Sequence, residues 1–178
     1  MRDLMIRDDD INAYSDLDTI RDVYTIIRKR FSKVRIISCV SLLAKTNGSG
    51  NVYPFSPVRG RPTKDLYGVD SVLNKTLTGL GEIASHGLLH IDHSKVSKDA
   101  QEMSILTSCN ILNTKLFCAP FNGYNSDTLA ICKENGIELI TNKYKWLSLE
   151  FNKFNHNHRA WYFHSWRYDV PRIKKELG

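Results

Sequence analysis

Leu4-Met5-Ile6-Arg7-Asp8-Asp9-Asp10, followed by Leu17, Ile20, Tyr24, Ile27 and Phe31 at helical spacing, decides how this chain is built. The apolar run reads as a short buried strand, and the spacing of three and four behind it reads as one buried helix face. The strand delivers three adjacent carboxylates to its C-terminal end. Val34 to Val40 is a second strand, and a helix from about Val69 to Leu77 ends at Gly79 before a strand from Leu80 to Ser85. Ser97 caps a helix with Ala100, Met103 and Leu106 on one face. Lys115 to Cys118 is a strand, Asn125 or Ser126 opens a helix that Gly136 closes, and Ile137 to Ile140 is a strand. Ala160 to His164 is the last strand and Val170 to Leu177 a closing helix. Strands alternating with helices predict an α/β architecture with a parallel sheet or barrel, whose functional residues gather where strands end. Asp9, Asp10, His86, Pro120 and His164 all fall at or just after such ends.

The 178 residues suit one domain with its own core, and 42% hydrophobic with 25% charged residues excludes disordered and fibrous classes. No run is long enough to span a membrane, and the first twenty residues lack the order of a secretory signal, which predicts a cytoplasmic protein. Cys39, Cys109, Cys118 and Cys132 are widely spaced among apolar neighbours and read as reduced core thiols. The net charge of +6 is uneven, with six Asp against two Arg in residues 1–20 and eight Lys or Arg against three acids in residues 141–178. That excess is a solvated basic face or an attraction to an anionic partner; with no recognition motif beside it, nucleic acid is not expected. Residues 44–67, rich in Gly, Pro, Asn and Ser, read as a lid, a binding loop or an insertion.

Glu82-Ile83-Ala84-Ser85-His86-Gly87-Leu88-Leu89-His90 carries two imidazoles four residues apart, and with a carboxylate from Asp8-Asp9-Asp10 they form a three-ligand set that leaves a metal position open. Such a pair alone is common by chance, but three adjacent Asp repel one another unless a cation or a proton-transfer role uses them. Phe117 to Asn125 places Pro120 and Gly123 around a strand end, where backbone N–H groups are available to an oxyanion. His164-Ser165-Trp166 joins a titratable ring to an aromatic surface, as a general acid beneath a sugar ring requires.

These four segments in this order resemble the polysaccharide deacetylases of the NodB-homology type, carbohydrate esterase family four. Residues 82–90 resemble that family's Glu-Ile-Gly-Asn-His-Thr-x-x-His motif, with the Glu, the Ile and both histidines in register. Arg7-Asp8-Asp9-Asp10-Ile11 resembles its Asp-Asp motif in an Arg-x-Asp-Asp-Ile form, and Pro120-Phe121 resembles its Arg-Pro-Pro-Tyr-Gly segment with Cys118 at the place of the Arg. His164 fits the late histidine. The Asp-x-x-Asp-Trp motif has its nearest counterpart in Asn142 to Trp146, without either carboxylate. The pattern is closest to divergent members from surface-polysaccharide gene clusters.

The resemblance implies a distorted (β/α) barrel spanning residues 1–178 and a metal-dependent N-deacetylase. Asp10, His86 and His90 then hold one divalent ion, zinc above others; Asp9 is the general base and His164 the general acid. Pro120, Phe121, Asn122 and Trp166 face the substrate, with the Phe121 amide receiving the oxyanion. A one-residue slip makes Asp8 the base and Asp9 the ligand. The implied partner is an N-acetylated sugar or glycoconjugate. The alternatives are a sugar-binding relative without turnover and a metal-dependent hydrolase of another bond, such as a phosphoester or cyclic amide. The sugar, its carrier and the oligomeric state are not legible in the sequence.

Overall fold

In chain order the strands are β1 (Leu4–Ile11), β2 (Val34–Val40), β3 (Ala44–Thr46), β4 (Val52–Pro54), β5 (Glu82–Ser85), β6 (Leu116–Phe117), β7 (Glu138–Leu139), β8 (Leu147–Ser148) and β9 (Ala160–Phe163). The helices are α1 (Leu17–Arg30), α2 (Val72–Leu80), α3 (Lys98–Leu112), α4 (Ser126–Glu134) and α5 (Val170–Leu177). The computed structural model describes residues 4–13, 15–42, 44–46, 52–54, 70–149, 151–165 and 170–177. Every residue of β1 is buried, as a strand covered on both faces requires. It pairs in parallel with β2 and β9, at the centre of a seven-stranded sheet of order β7-β6-β5-β2-β1-β9-β8 whose pairings are all parallel. The sheet curls into a half-barrel, the expected distorted (β/α) barrel.

Alternation along the central strands sorts the core into layers. Leu4 and Ile6 of β1, Ile36 and Val40 of β2 and Trp161 and Phe163 of β9 face outward onto Ile20, Tyr24 and Ile27 of α1, with Leu77 of α2 and Ile173 and Leu177 of α5. Ile105, Phe117, Ile131 and Leu139 form a second cluster beneath α3 and α4. A smaller third cluster, Ile37, Cys39, Ala84, Cys118 and Ile140, fills the inside of the curl. Three of its five residues are small, and that leaves space on the inner face for long side chains from β1.

Several boundaries differ from the sequence reading. β1 continues through the three Asp instead of stopping before them. The helix expected to end at Gly79 runs on to Leu80, starting where the Ser71 hydroxyl accepts from Asn74 N–H. Gly81 caps its C-terminal end, and a side chain is excluded there because a Cβ would lie 2.7 Å from the Ile36 carbonyl oxygen of β2. Ile140 leaves its strand for a 3-10 turn over Ile140–Asn142, and two-residue β8 went unseen. Within the expected loop of residues 44–67, β3 and β4 pair antiparallel; its remainder lies outside the described residues. Among the described residues no helix is long and apolar enough to cross a membrane.

Candidate active site

Parallel strands bring their C-terminal ends to one rim, and the site is built there. On β1, Arg7 and Asp9 share the inner face while Asp8 faces outward, where its Oδ1 accepts from Ser165 N–H at 2.8 Å. Strict alternation would send Asp10 outward too. Instead the register with β2 shifts between Asp8 and Ile11, and Asp10 adopts φ 64°, a left-handed conformation that Asp tolerates better than most residues. The bulge carries its carboxylate across the rim, and Asn12 Nδ2 donates to the Asp10 carbonyl at 3.0 Å to hold it.

His86 arrives from the other side by extending β5 one residue, its N–H donating to Val40 O at 2.8 Å. Gly87 then turns the chain with φ 86°, and its N–H and that of Leu88 are taken by the Ser85 and Ser104 hydroxyls. The turn returns His90 beside His86, with ring centroids 5.0 Å apart. Asp10 Oδ1 lies 2.7 Å from His90 Nε2 and 3.3 Å from His86 Nε2, and Oδ2 lies 3.6 Å from His164 Nε2.

The donor set passes a chemical test for a divalent ion. One ligand atom from each of Asp10, His86 and His90 lies within 4.8 Å of the others, as three ligands around an open metal position do. His86 Nδ1 lies 2.7 Å from the Cys118 carbonyl; a carbonyl only accepts, so Nδ1 carries a proton and Nε2, on the Asp10 side, is the nitrogen whose lone pair would serve an ion. For the same reason the second convergent group, Cys39, His86 and Cys118, lacks a free imidazole nitrogen on its side. Burial would raise the Asp10 carboxyl, yet hydrogen bonds and charge from His86 and His90 hold it well below the usual carboxylate range. For His86 burial disfavours the charged ring, but Cys118 and Asp10 outweigh it and raise its pKa. His93 is buried, bonded to Ser104 Oγ at 3.2 Å and pushed down to about 4 by burial and by the neighbouring His86; it is a neutral structural histidine.

Two groups flank the convergence point. His164 follows β9, and Asp9 stands on the inner face with Arg7 Nε 2.8 Å from Oδ1 and donating to Oδ2 at 3.1 Å. Oδ1 is thus paired in charge but receives no aligned hydrogen bond. Across the cavity the 3-10 turn Pro120–Asn122 places Phe121 at φ 56° and Asn122 at φ 53°. The turn's bonds come from Asn122 N–H and Gly123 N–H, so Phe121 N–H takes no part in them. The Phe121 ring, 63% exposed, sits edge-on to His90 at 4.5 Å. Arg7, Asp9, Asp10, His86, His90, Phe121, Asn122, Tyr162 and His164 enclose about 310 Å³. A larger groove of 700 Å³ lies at the opposite end of β5 and β6, around Glu82, Thr114 and Lys115; none of the buried unpartnered polar atoms lies there.

No protein-family model matches the chain, and no curated protein matches it in sequence. Solved structures do match. A family 4 carbohydrate esterase from Streptomyces lividans in complex with acetate superposes with a TM-score of 0.63 at 12% identity, over 98% of this chain and 86% of that one. The chain has the family 4 carbohydrate esterase fold. Peptidoglycan deacetylase PdaC from Bacillus subtilis gives 0.60 at 14% identity, over 99% of this chain and 82% of its own. A CE4 family pseudoenzyme from Bacillus anthracis gives 0.60 at 9%, over 98% of this chain and 58% of its own.

On this family 4 esterase fold, Asp9, Asp10, His86, His90, Phe121, Asn122 and His164 of the sequence-predicted residues line one cavity, while Pro120 is buried behind the turn it starts. Asn122 Oδ1 accepts from Arg7 Nη2 at 3.0 Å. Trp166 lies outside the described residues. Asp8 faces away from the cavity, into the layer of Tyr24 and Ser38. The sequence reading passed over Tyr162 and gave Arg7 only as one of three arginines, with Arg159 and Arg167, able to stand in for the family motif's missing Arg. The signal for Arg7 was present, since residues two apart on a strand share a face and Arg7 stands two before Asp9 in an otherwise apolar strand start.

Proposed function

We propose that this protein is a metal-dependent carbohydrate N-deacetylase that removes the acetyl group from an N-acetylated amino sugar. The observation that carries the reading is the meeting of Asp10, His86 and His90, with Asp9 and His164 to either side, at the C-terminal rim of a parallel sheet. The fold supports it, as neighbours sharing that fold are an esterase crystallised with acetate and a peptidoglycan deacetylase.

In this reading Asp10, His86 and His90 hold a divalent ion, zinc being suited to two imidazoles and a carboxylate. When bound, that ion supplies Lewis acidity toward the acetyl carbonyl and toward water. Asp9, whose carboxylate lines the cavity, takes the proton from the attacking water. Phe121 N–H, outside the turn's own bonding, donates to the developing oxyanion. His164 gives a proton to the departing amine nitrogen. Phe121 offers its exposed ring to the sugar, and a cavity of about 310 Å³ admits the acetamido end of one sugar rather than a whole chain.

The test is acetate release by the metal-loaded chain from a panel of free, nucleotide-linked and polymeric N-acetylated sugars. Release from at least one of them, abolished by Asp9→Asn with metal retained, supports the reading. Full metal occupancy without release from any substrate favours the sugar-binding alternative without turnover; a CE4 family pseudoenzyme is among the structural neighbours.

A further inference from the structure

We infer that Arg7 is the positioning residue of this site, a clamp that holds Asp9 in its working orientation and ties it to the turn carrying Phe121; the inference rests on the deacetylase reading above. Arg7 is 1% exposed. A buried guanidinium is costly unless it is paired, and here Nε and Nη2 are paired while Nη1 has no hydrogen-bond partner. Nε lies within ion-pair distance of both Asp9 oxygens, 2.8 and 3.1 Å. Nη2 donates to Asn122 Oδ1 at 3.0 Å. The guanidinium carbon lies 4.7 Å from the Trp146 ring centroid and 5.1 Å from that of Tyr162, within the range of cation–π attraction. Cys39, Ala84 and Cys118, small residues of the inner cluster, give the side chain its room.

The arrangement does two things. Because Arg7 and Asp9 leave one face of one strand, their relative position is fixed by the pleat and not by a loop. Nε, set against both oxygens, then limits rotation of the Asp9 carboxylate, which lines the cavity. Through Asn122 the same side chain sets the distance between that carboxylate and the neighbouring Phe121 N–H. Proton acceptor and oxyanion donor are thereby held by one cation, and a misplacement of about 1 Å at such a site costs on the order of a hundredfold in rate.

The experiment compares Arg7→Met, Arg7→Lys and Trp146→Leu in the metal-loaded full chain, by kcat and KM for acetate release and by crystal structures. Arg7→Met is expected to lower kcat about a hundredfold or more, with KM within about threefold and metal content unchanged, while Asp9 rotates from its wild-type position. Arg7→Lys, which restores charge without the fork, recovers about tenfold of the loss. Trp146 does not line the cavity, so Trp146→Leu lowers kcat several-fold through Arg7 alone and leaves KM in place. Near-parental kcat in Arg7→Met, or an unmoved Asp9 in its structure, overturns the inference. If Arg7→Met does not fold, the kcat-specific losses in Arg7→Lys and Trp146→Leu decide it in the same way. If the parent holds metal yet releases no acetate from any substrate, the deacetylase reading fails, and the orientation of Asp9 in the variant structures decides whether Arg7 positions it.

Discussion

Asp8, Asp9 and Asp10 are chemically identical and adjacent, yet the backbone gives them three different surroundings. Asp8 is enclosed by Ser165 N–H at 2.8 Å and the Tyr24 hydroxyl at 3.4 Å, with Tyr24 in turn 2.8 Å from Ser38 Oγ. Burial pushes its carboxyl up to about 8, against the lowering pull of Ser165 and His164. A carboxyl raised in the folded state favours folding fully below its ordinary value of 3.8, and that contribution is lost as pH rises through about 8. Between those limits the loss approaches about 1.4 kcal/mol per pH unit. Asp8→Asn keeps an acceptor for Ser165 and removes the titration, so in chelator-treated protein the variant should gain stability over the parent steadily from pH 5 to pH 8. Denaturant melts across that range check it, and a pH-independent difference would mean that Asp8 is ionised in the folded chain. Asp10 and the histidines make the complementary case. Removing one of three ligands leaves too few to hold an ion, so His90→Ala should cut metal content from near one ion per chain to a small fraction. Unchanged content by elemental analysis removes the metal site from the argument.

At the scale of elements, the segment from β5 to His90 was legible in kind but not in shape. The apolar run before His86 announced a strand, and the glycine announced a turn. That Gly87 needs φ 86° and that a Cβ would lie 2.8 Å from Leu89 O, 3.2 Å from His93 Cε1 and 3.3 Å from Ser104 Oγ of α3 follow only from how the turn itself folds and packs. Gly87→Ala should therefore cost at least about 1–2 kcal/mol for the left-handed backbone alone, with the close approaches adding to it. Because the same turn sets His90 beside His86, metal affinity should fall along with stability. A variant that unfolds at the parental denaturant concentration with full metal affinity would contradict this. Helix starts were readable where a side chain caps them, as at Ser97, whose hydroxyl accepts from Ala100 N–H. β8 was not, because two residues carry no periodicity, and β1 was cut short because three carboxylates do not look like strand interior. They stay in the strand through Ser165, Arg7 and the histidines, partners supplied by distant parts of the chain.

For the whole molecule, strand–helix alternation was enough to place the candidate site on one rim, since parallel strands share a direction. Alternation alone does not reveal which face of the curled sheet becomes the interior, and on that depend the burial of the Arg7–Asp9 pair and its approach to Trp146. Strand order also governs the cysteines, all four of which are free and buried. Cys39 is on β2 and Cys118 follows β6, with β5 between them; two strand spacings set the backbones roughly 9–10 Å apart. A disulfide tolerates a Cα separation of about 7 Å at most, so the two thiols approach one another across Ala84 without being able to join. Burial pushes Cys109 and Cys132 up to about 12. For Cys118 burial works the same way, but the Cys39 hydrogen bond and the charge of Arg7 outweigh it and draw the thiol below its ordinary value. Low pKa makes a thiol reactive only where reagent reaches it, and Cys118 is sealed inside the curl. Native protein should thus react slowly with a thiol reagent at all four positions, and protein unfolded without reductant should release four thiols per chain. Two thiols missing, and mapped to a Cys39–Cys118 crosslink, would require β5 to be displaced from between its neighbours and His86 with it, which is incompatible with this sheet.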